Sequence, residues 1–143
     1  MKIIRITDDN EISVHDFPDG THREQNAELQ KLIGSKCDMC EHVRPKRLYT
    51  ELGGSGRVDD EPGSSVSMLV DEDGIYHDLK ENLVGSYLYE TDKHGHSILG
   101  NILIIGEVRK WGMGIDFCGI SEQQFNLLYP KLEELVKKAR DFK

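Results

Sequence analysis

The stretch "KCDMCEH", residues 36–42, sets two cysteines three apart, with a histidine two positions further on. Thiolate and imidazole are preferred zinc ligands, and a structural zinc site needs four of them. The missing ligands would have to come from Cys118, His94 and His96. No second CxxC exists, however, and the spacing matches no standard ribbon or finger. A redox CxxC normally stands at a helix N-terminus, where the dipole lowers a thiol pKa. Here the pair follows a helical stretch. The simplest reading is a strand. In a strand Cys37, Met39, Glu41 and Val43 share one face, and Asp38, Cys40 and His42 share the other. The two thiols then part, and Cys40 with His42 is the only remnant of a metal site. Cys118, close to Asp116 in "IDFCGI", is conceivable as a nucleophile with one of the six histidines, but reads as a strand residue. No catalytic residue and no cofactor is assigned.

Other residues suggest binding. "GGSGR", residues 53–57, has the look of a phosphate cradle, but lacks the Lys and Ser/Thr of a P-loop and does not lead into a helix. Arg57, Tyr87, Tyr89 and the single tryptophan, Trp111, are candidate contacts for a small ligand, a nucleotide signal in particular. "DEDG", residues 71–74, has the start of a calcium loop without its distal Glu. Carboxylates cluster at Asp59-Asp60-Glu61, at Asp71-Glu72-Asp73 and at Glu90/Asp92. The first two clusters are candidates for a surface that faces a basic partner protein.

The elements that must position these residues are legible in part. "MKIIRIT" and "EISVHDF" read as a hairpin around a polar turn. Thr21 and Glu24 fit a capping box for the helix "HREQNAELQKLI", with Ala27, Leu29, Leu32 and Ile33 as its apolar face. Gly34 is expected to close it in a left-handed conformation. Residues 44–65, with two prolines and four glycines, read as a long flexible loop with some order near Arg47–Leu52. "SVSMLV", "DEDG" and "IYHDL" read as a second hairpin. Asn82 is a plausible cap for a short helix. "SILGNILIIGE" is hydrophobic enough for a central strand buried on both faces, "RKWGMG" for the turn after it and "IDFCGI" for a further strand. Ser121 and Gln124 open a C-terminal helix with apolar residues at Phe125, Leu128, Leu132, Leu135, Val136 and Ala139. Pro130 should kink that helix or restart it at Lys131. Strands and helices mix without regular alternation, so the expected class is α+β: one domain over 1–143, a mostly antiparallel mixed sheet, and a C-terminal helix packed on it.

The chain has 143 residues, 26 acidic and 18 basic, for a net charge of −8. This charge repels bare nucleic acid and anionic membrane and suits a partner with a basic surface. It is uneven: residues 121–143 are slightly basic, so the negative charge belongs to the first 120. A chain of this size buries a core without disulfides or metal. No apolar run approaches the roughly 18 residues of a membrane helix. The opening "MKIIRITDD" has no leader pattern, and three cysteines form no closed disulfide framework; together these suggest a cytoplasmic setting.

The stretch "VSMLVDEDGIYHDLKENLVGSYLYETDKHGHSILGNILIIGE", followed by "GIDFCGISEQQF", resembles the domain of unknown function 3846 family. The matching pattern spans about Leu29 to Phe125, with hallmarks at Asp73-Gly74, Asn82, Gly100-Asn101 and Gly106. The resemblance implies a protein of bacteriophages or mobile elements in Firmicutes and their relatives. It carries over no activity and no catalytic residue. Together with the negative charge of the first 120 residues and the lack of a catalytic constellation, this setting makes a non-enzymatic protein that modulates a host defence system the leading expectation, ahead of a nucleotide sponge and of a thiol or zinc enzyme.

Overall fold

The structure is a computed structural model, and it describes residues 1–142. Six strands and five helices make an α+β domain. The strands are β1 (Lys2–Ile6), β2 (Ile12–Asp16), β3 (Cys40–Val43), β4 (Ser65–Asp71), β5 (Ile102–Lys110) and β6 (Gly114–Cys118). The helices are α1 (His22–Ile33), α2 (Lys46–Thr50), α3 (Leu83–Leu88), α4 (Thr91–His94) and α5 (Glu122–Asp141). The strands form one sheet in the order β2-β1-β5-β4-β3, and every pair is antiparallel. β5 serves two partners along one edge. Ile102–Ile104 pair with β1 and Gly106–Lys110 with β6, while Leu103–Glu107 pair with β4 on the opposite edge.

Strand alternation sorts the core into two layers. Ile3, Leu69, Leu103 and Ile105 face Leu29 and Ile33 of α1. Ile4, Ile6, Met68, Ile102 and Ile104 face α2, α3 and the Leu128, Leu132 and Val136 stripe of α5. β4 and the first seven residues of β5 are buried on both faces; for β5 this is the central strand expected of its apolar run. At the junction where β6 succeeds β1, the backbones crowd: a Cβ on Gly106 would sit 2.2 Å from the carbonyl oxygen of Gly119. That explains the glycine without any appeal to a ligand.

Several boundaries differ from expectation. β4 has β3 on one edge and β5 on the other, so residues 75–79 find no open edge to pair with. The second hairpin is therefore replaced by a wound turn over 72–78, closed by His77 N–H to the Asp73 carbonyl (3.0 Å) and Leu79 N–H to the Gly74 carbonyl (3.1 Å). β5 runs through Arg109 and Lys110, which the sequence reading gave to the turn, because β6 still pairs with both. Gly34 is extended (φ 172°), a conformation open to any residue, and not left-handed. Ala27 is exposed, leaving Leu29 and Ile33 as the buried face of α1. α5 continues through Pro130 without restarting. The proline is exposed, so water can satisfy the carbonyl one turn earlier that loses its helical donor. Residues 44–65 contain α2, in line with the order expected near Arg47–Leu52, and the remainder makes backbone hydrogen bonds at several points. Gly54 N–H donates to the Leu48 carbonyl, Arg109 N–H to that of Asp59 and Ser121 N–H to that of Gly63.

Candidate functional site

The most heavily bonded polar group lies where the sequence analysis assigned nothing. Glu107 ends the apolar run of β5, and its side chain is fully buried. β4 brings Ser65 opposite it, and β3 brings His42 and, just beyond, Arg44. Arg44 Nη1 lies 2.7 Å from both carboxylate oxygens. His42 Nε2 is 3.1 Å from Oε2, and Ser65 Oγ donates to Oε1 at 3.2 Å. Burial pushes the Glu107 pKa up, but the hydrogen bonds from His42 and Arg44 and the guanidinium charge outweigh it and hold the group below its usual range. Arg44 also donates to the Gly56 carbonyl and lies 5.3 Å from the Tyr49 ring. Tyr49 in turn donates to the Val66 carbonyl at 2.7 Å, and burial pushes its hydroxyl up to about 12. The carboxylate is saturated with donors. It therefore acts as an anchor joining β3, β4, β5 and the 55–57 loop, and is not a free base. In sequence the only hint was a glutamate at the end of a buried strand, which needs a cationic partner somewhere.

The cysteines come together in a way the strand reading excluded. β3 begins only at Cys40, and the turn before it folds Cys37 back. The two sulfurs stand 4.0 Å apart, with Cys37 in the α1-side core. Burial raises both thiol pKa values, Cys40 to about 12, and the Asp71 charge adds to both. Cys118 is raised by burial as well. Thiols so shifted are poor nucleophiles at neutral pH. His42, the expected companion of Cys40, has its Nε2 committed to Glu107. Among the described residues no three His, Cys, Asp or Glu side chains gather as a metal site.

The four residues singled out for ligand contact do not form one site. Tyr87 lines a cleft of about 680 Å³ between α3, α4 and the C-terminal half of α5. The Arg47 guanidinium stacks 4.5 Å from its ring, and the Tyr87 hydroxyl donates to Glu51. Arg47, not a contact candidate in sequence, also pairs with Asp92 at 2.9 Å and lies 3.8 Å from Glu90. Tyr89 meets the His94 ring edge-on and lines a different cavity of about 340 Å³. Trp111 is 99% exposed at the tip of the β5–β6 hairpin and packs on nothing. Arg57 is exposed in its loop. Three of the loop's five amides are already committed: Gly54 N–H to the Leu48 carbonyl, Ser55 N–H to Gln124 Oε1 and Arg57 N–H to Ser55 Oγ. "GGSGR" thus offers no ring of free donors for phosphate.

The acidic candidates divide. Asp59, Asp60 and Glu61 are exposed, and Ser64 and the Glu61 amide bond the Asp59 carboxylate, lowering its pKa. Glu72 is exposed and Asp73 half-buried. Asp71 is withdrawn from the surface. It accepts from the Asp73 amide at 2.9 Å and lies 2.7 Å from His77 Nδ1, which pins both ends of the 72–78 turn. Asp71 is therefore a structural strut and not a contact. The turn that it fixes carries Ile75 and Tyr76, 81% and 88% exposed. Ile75 also lines the 340 Å³ cavity with Glu41 and Glu72. Neither residue was a sequence candidate; as a supposed strand, they would have been partly covered.

In comparisons with family models, curated proteins and solved structures, nothing matches this chain.

Proposed function

We propose that the protein is a non-enzymatic binding protein whose 72–78 turn docks on a partner protein with a basic surface. The observation that carries this reading is the rigid presentation of Ile75 and Tyr76. Two large apolar side chains stand in water on a turn held by Asp71, His77 and its own backbone bonds. An ordered turn loses little entropy on binding, and an exposed tyrosine is a typical anchor for a partner's pocket. Glu41 and Glu72 line a cavity together with Ile75, and Asp73 and Asp78 lie within two residues of the pair in the chain. These charges favour a cationic partner, and the adjacent cavity between Glu41 and Glu72 suits a lysine or arginine side chain. The resemblance noted in the sequence supplies the setting: a phage or mobile-element protein in the host cytoplasm that modulates a defence enzyme by occupying its basic nucleic-acid groove. The test is capture from host lysate with the intact chain and with an Ile75→Ser/Tyr76→Ala variant of equal melting temperature. A partner lost on substitution and on raising salt supports the reading. Retention of the same proteins by both chains overturns it.

A second reading rests on the 680 Å³ cleft, whose size is that of a small-molecule site. Leu83, Val84, Leu135 and Ala139 make an apolar wall beside Tyr87. A nucleotide that is sequestered there should raise the melting temperature, and Tyr87→Ala should remove the effect; a nucleotide series without any stabilisation sinks this reading.

A further inference from the structure

The C-terminal end of α1 carries chemistry opposite in sign to the chain as a whole. A cavity of about 310 Å³ opens there, lined by Arg5 of β1, Lys31 of α1, Ser35 and Lys36 of the following turn, and Asn101 before β5. A helix C-terminus normally repels anions through its unsatisfied carbonyls. Here those carbonyls are occupied: Arg5 Nε donates to Leu32 at 2.6 Å and Asn101 Nδ2 to Ile33 at 2.8 Å. Arg5 retains its two Nη groups, which bond to nothing among the described residues, and Lys36 has no ion-pair partner among them. The Ser35 and Lys36 amides donate to no backbone carbonyl. Lys31 is paired with Glu28 at 3.1 Å. Two acids also line the cavity. The Asp71 carboxylate is turned to His77 Nδ1 at 2.7 Å and to the Asp73 amide, while the Asp8 carboxylate offers an acceptor.

We infer that this cavity binds a small sugar phosphate. Arg5, Lys36 and the amides of residues 35 and 36 hold the phosphate, and Asp8 accepts from a sugar hydroxyl. The volume lies at the small end of ligand cavities, enough for a phosphorylated pentose with its base left outside. A guanidinium with two free donors is the side-chain group best matched to phosphate oxygens. The cavity shares Asp71 and Leu79 with the base of the 72–78 turn, but neither Ile75 nor Tyr76 nor any residue of the Tyr87 cleft lines it, so its probes and variants report on it alone.

The experiment is an amide chemical-shift titration of the intact chain, at about 50 mM salt to limit screening. The probes are inorganic phosphate, ribose 5-phosphate and adenosine monophosphate. Saturable shifts at Ser35, Lys36 and Asn101 are expected, with ribose 5-phosphate at least about tenfold tighter than phosphate, a preference worth about 1.4 kcal/mol. Adenosine monophosphate tighter than ribose 5-phosphate identifies a nucleotide as the source, and equal affinity identifies a free sugar phosphate. Lys36→Glu, at an exposed position without a hydrogen bond, should weaken all three probes about tenfold or more and leave the melting temperature unchanged. Asp8→Asn should remove the preference for ribose 5-phosphate while phosphate still binds. Absence of saturable shifts below about 10 mM, loss of no affinity in Lys36→Glu, or phosphate bound as tightly as ribose 5-phosphate overturns the inference.

Discussion

Glu107 shows how one side chain can set the acid limit of the domain. Its pKa is held low in the folded protein by His42 and Arg44. The stabilisation from ionising it is therefore complete above the ordinary glutamate value and is lost as pH falls through the folded value. Urea midpoints should decline on acidification below about pH 4, and Glu107→Gln should flatten that part of the profile. At neutral pH the same substitution removes the charge opposite Arg44. Breaking a buried pair costs about 3–5 kcal/mol, and Arg44 is partly hydrated, so about 3 kcal/mol is expected from denaturant melts. A neutral-pH loss below about 0.5 kcal/mol would show that the network anchors nothing. Gly106 is a separate case at this scale. Its conformation is ordinary, yet an alanine methyl there would enter the Gly119 carbonyl, which is backbone and cannot rotate away. Gly106→Ala should fail to fold or should lose several kcal/mol, whereas Gly34→Ala, with nothing within 4 Å, should be close to neutral by circular dichroism melts.

At the scale of elements, α3 depends on one amide. Asn82 caps the helix by accepting from Gly85 N–H at 2.9 Å. Its Nδ2 donates to the carbonyls of Ile6 and Gly100, both in the interior. Asn82→Asp keeps the cap acceptor and removes the donor, leaving two buried carbonyls facing a carboxylate. At about 1–3 kcal/mol for each unsatisfied group, it should cost more than an ordinary cap loss. Asn82→Asp equal in stability to the parent would refute this account. The cap was legible because capping is local, as at Thr21 and Ser121. At Ser121 only half of the box forms, since Gln124 is drawn away to bond the Ser55 amide. The β1–β2 hairpin and the two-sided burial of β5 were legible for the same reason: turn chemistry and strand period lie within a few residues. What was not legible depended on distant partners. The turn at 72–78 exists because β3 and β5 occupy both edges of β4. Cys37 meets Cys40 because pairing with Asp71 begins β3 at Cys40 and no earlier. Arg44 and Glu107 stand 63 residues apart, and no spacing rule joins them. The exposure of Ile75 and Tyr76 was hidden by the strand reading itself.

Over the whole molecule, charge is unevenly distributed along the chain. The net charge of −8 sets the long-range field, while the cations of α1's end and of α5 are gathered elsewhere. In the proposed mode of binding, this field steers a cationic partner toward the acidic side before any contact forms, and steering acts on association more than on the lifetime of the complex. In that same proposed mode the short-range anchor is Tyr76, and its burial governs dissociation. The two contributions can be separated once a partner is captured. In surface plasmon resonance, raising salt from about 0.05 to 0.5 M shortens the screening length several-fold and should slow association by about tenfold or more. A Glu72→Lys/Asp73→Lys variant should already associate slowly at low salt and should respond weakly to added salt. Tyr76→Ala should leave the association rate nearly unchanged and raise the dissociation rate by about 30-fold, the effect of losing a 2 kcal/mol hot spot. All of these substitutions fall on the half-exposed or exposed turn, so melting temperatures should hold. Association indifferent to salt and to the charge reversal would remove the acidic turn from the interface, and with it the proposed mode of binding.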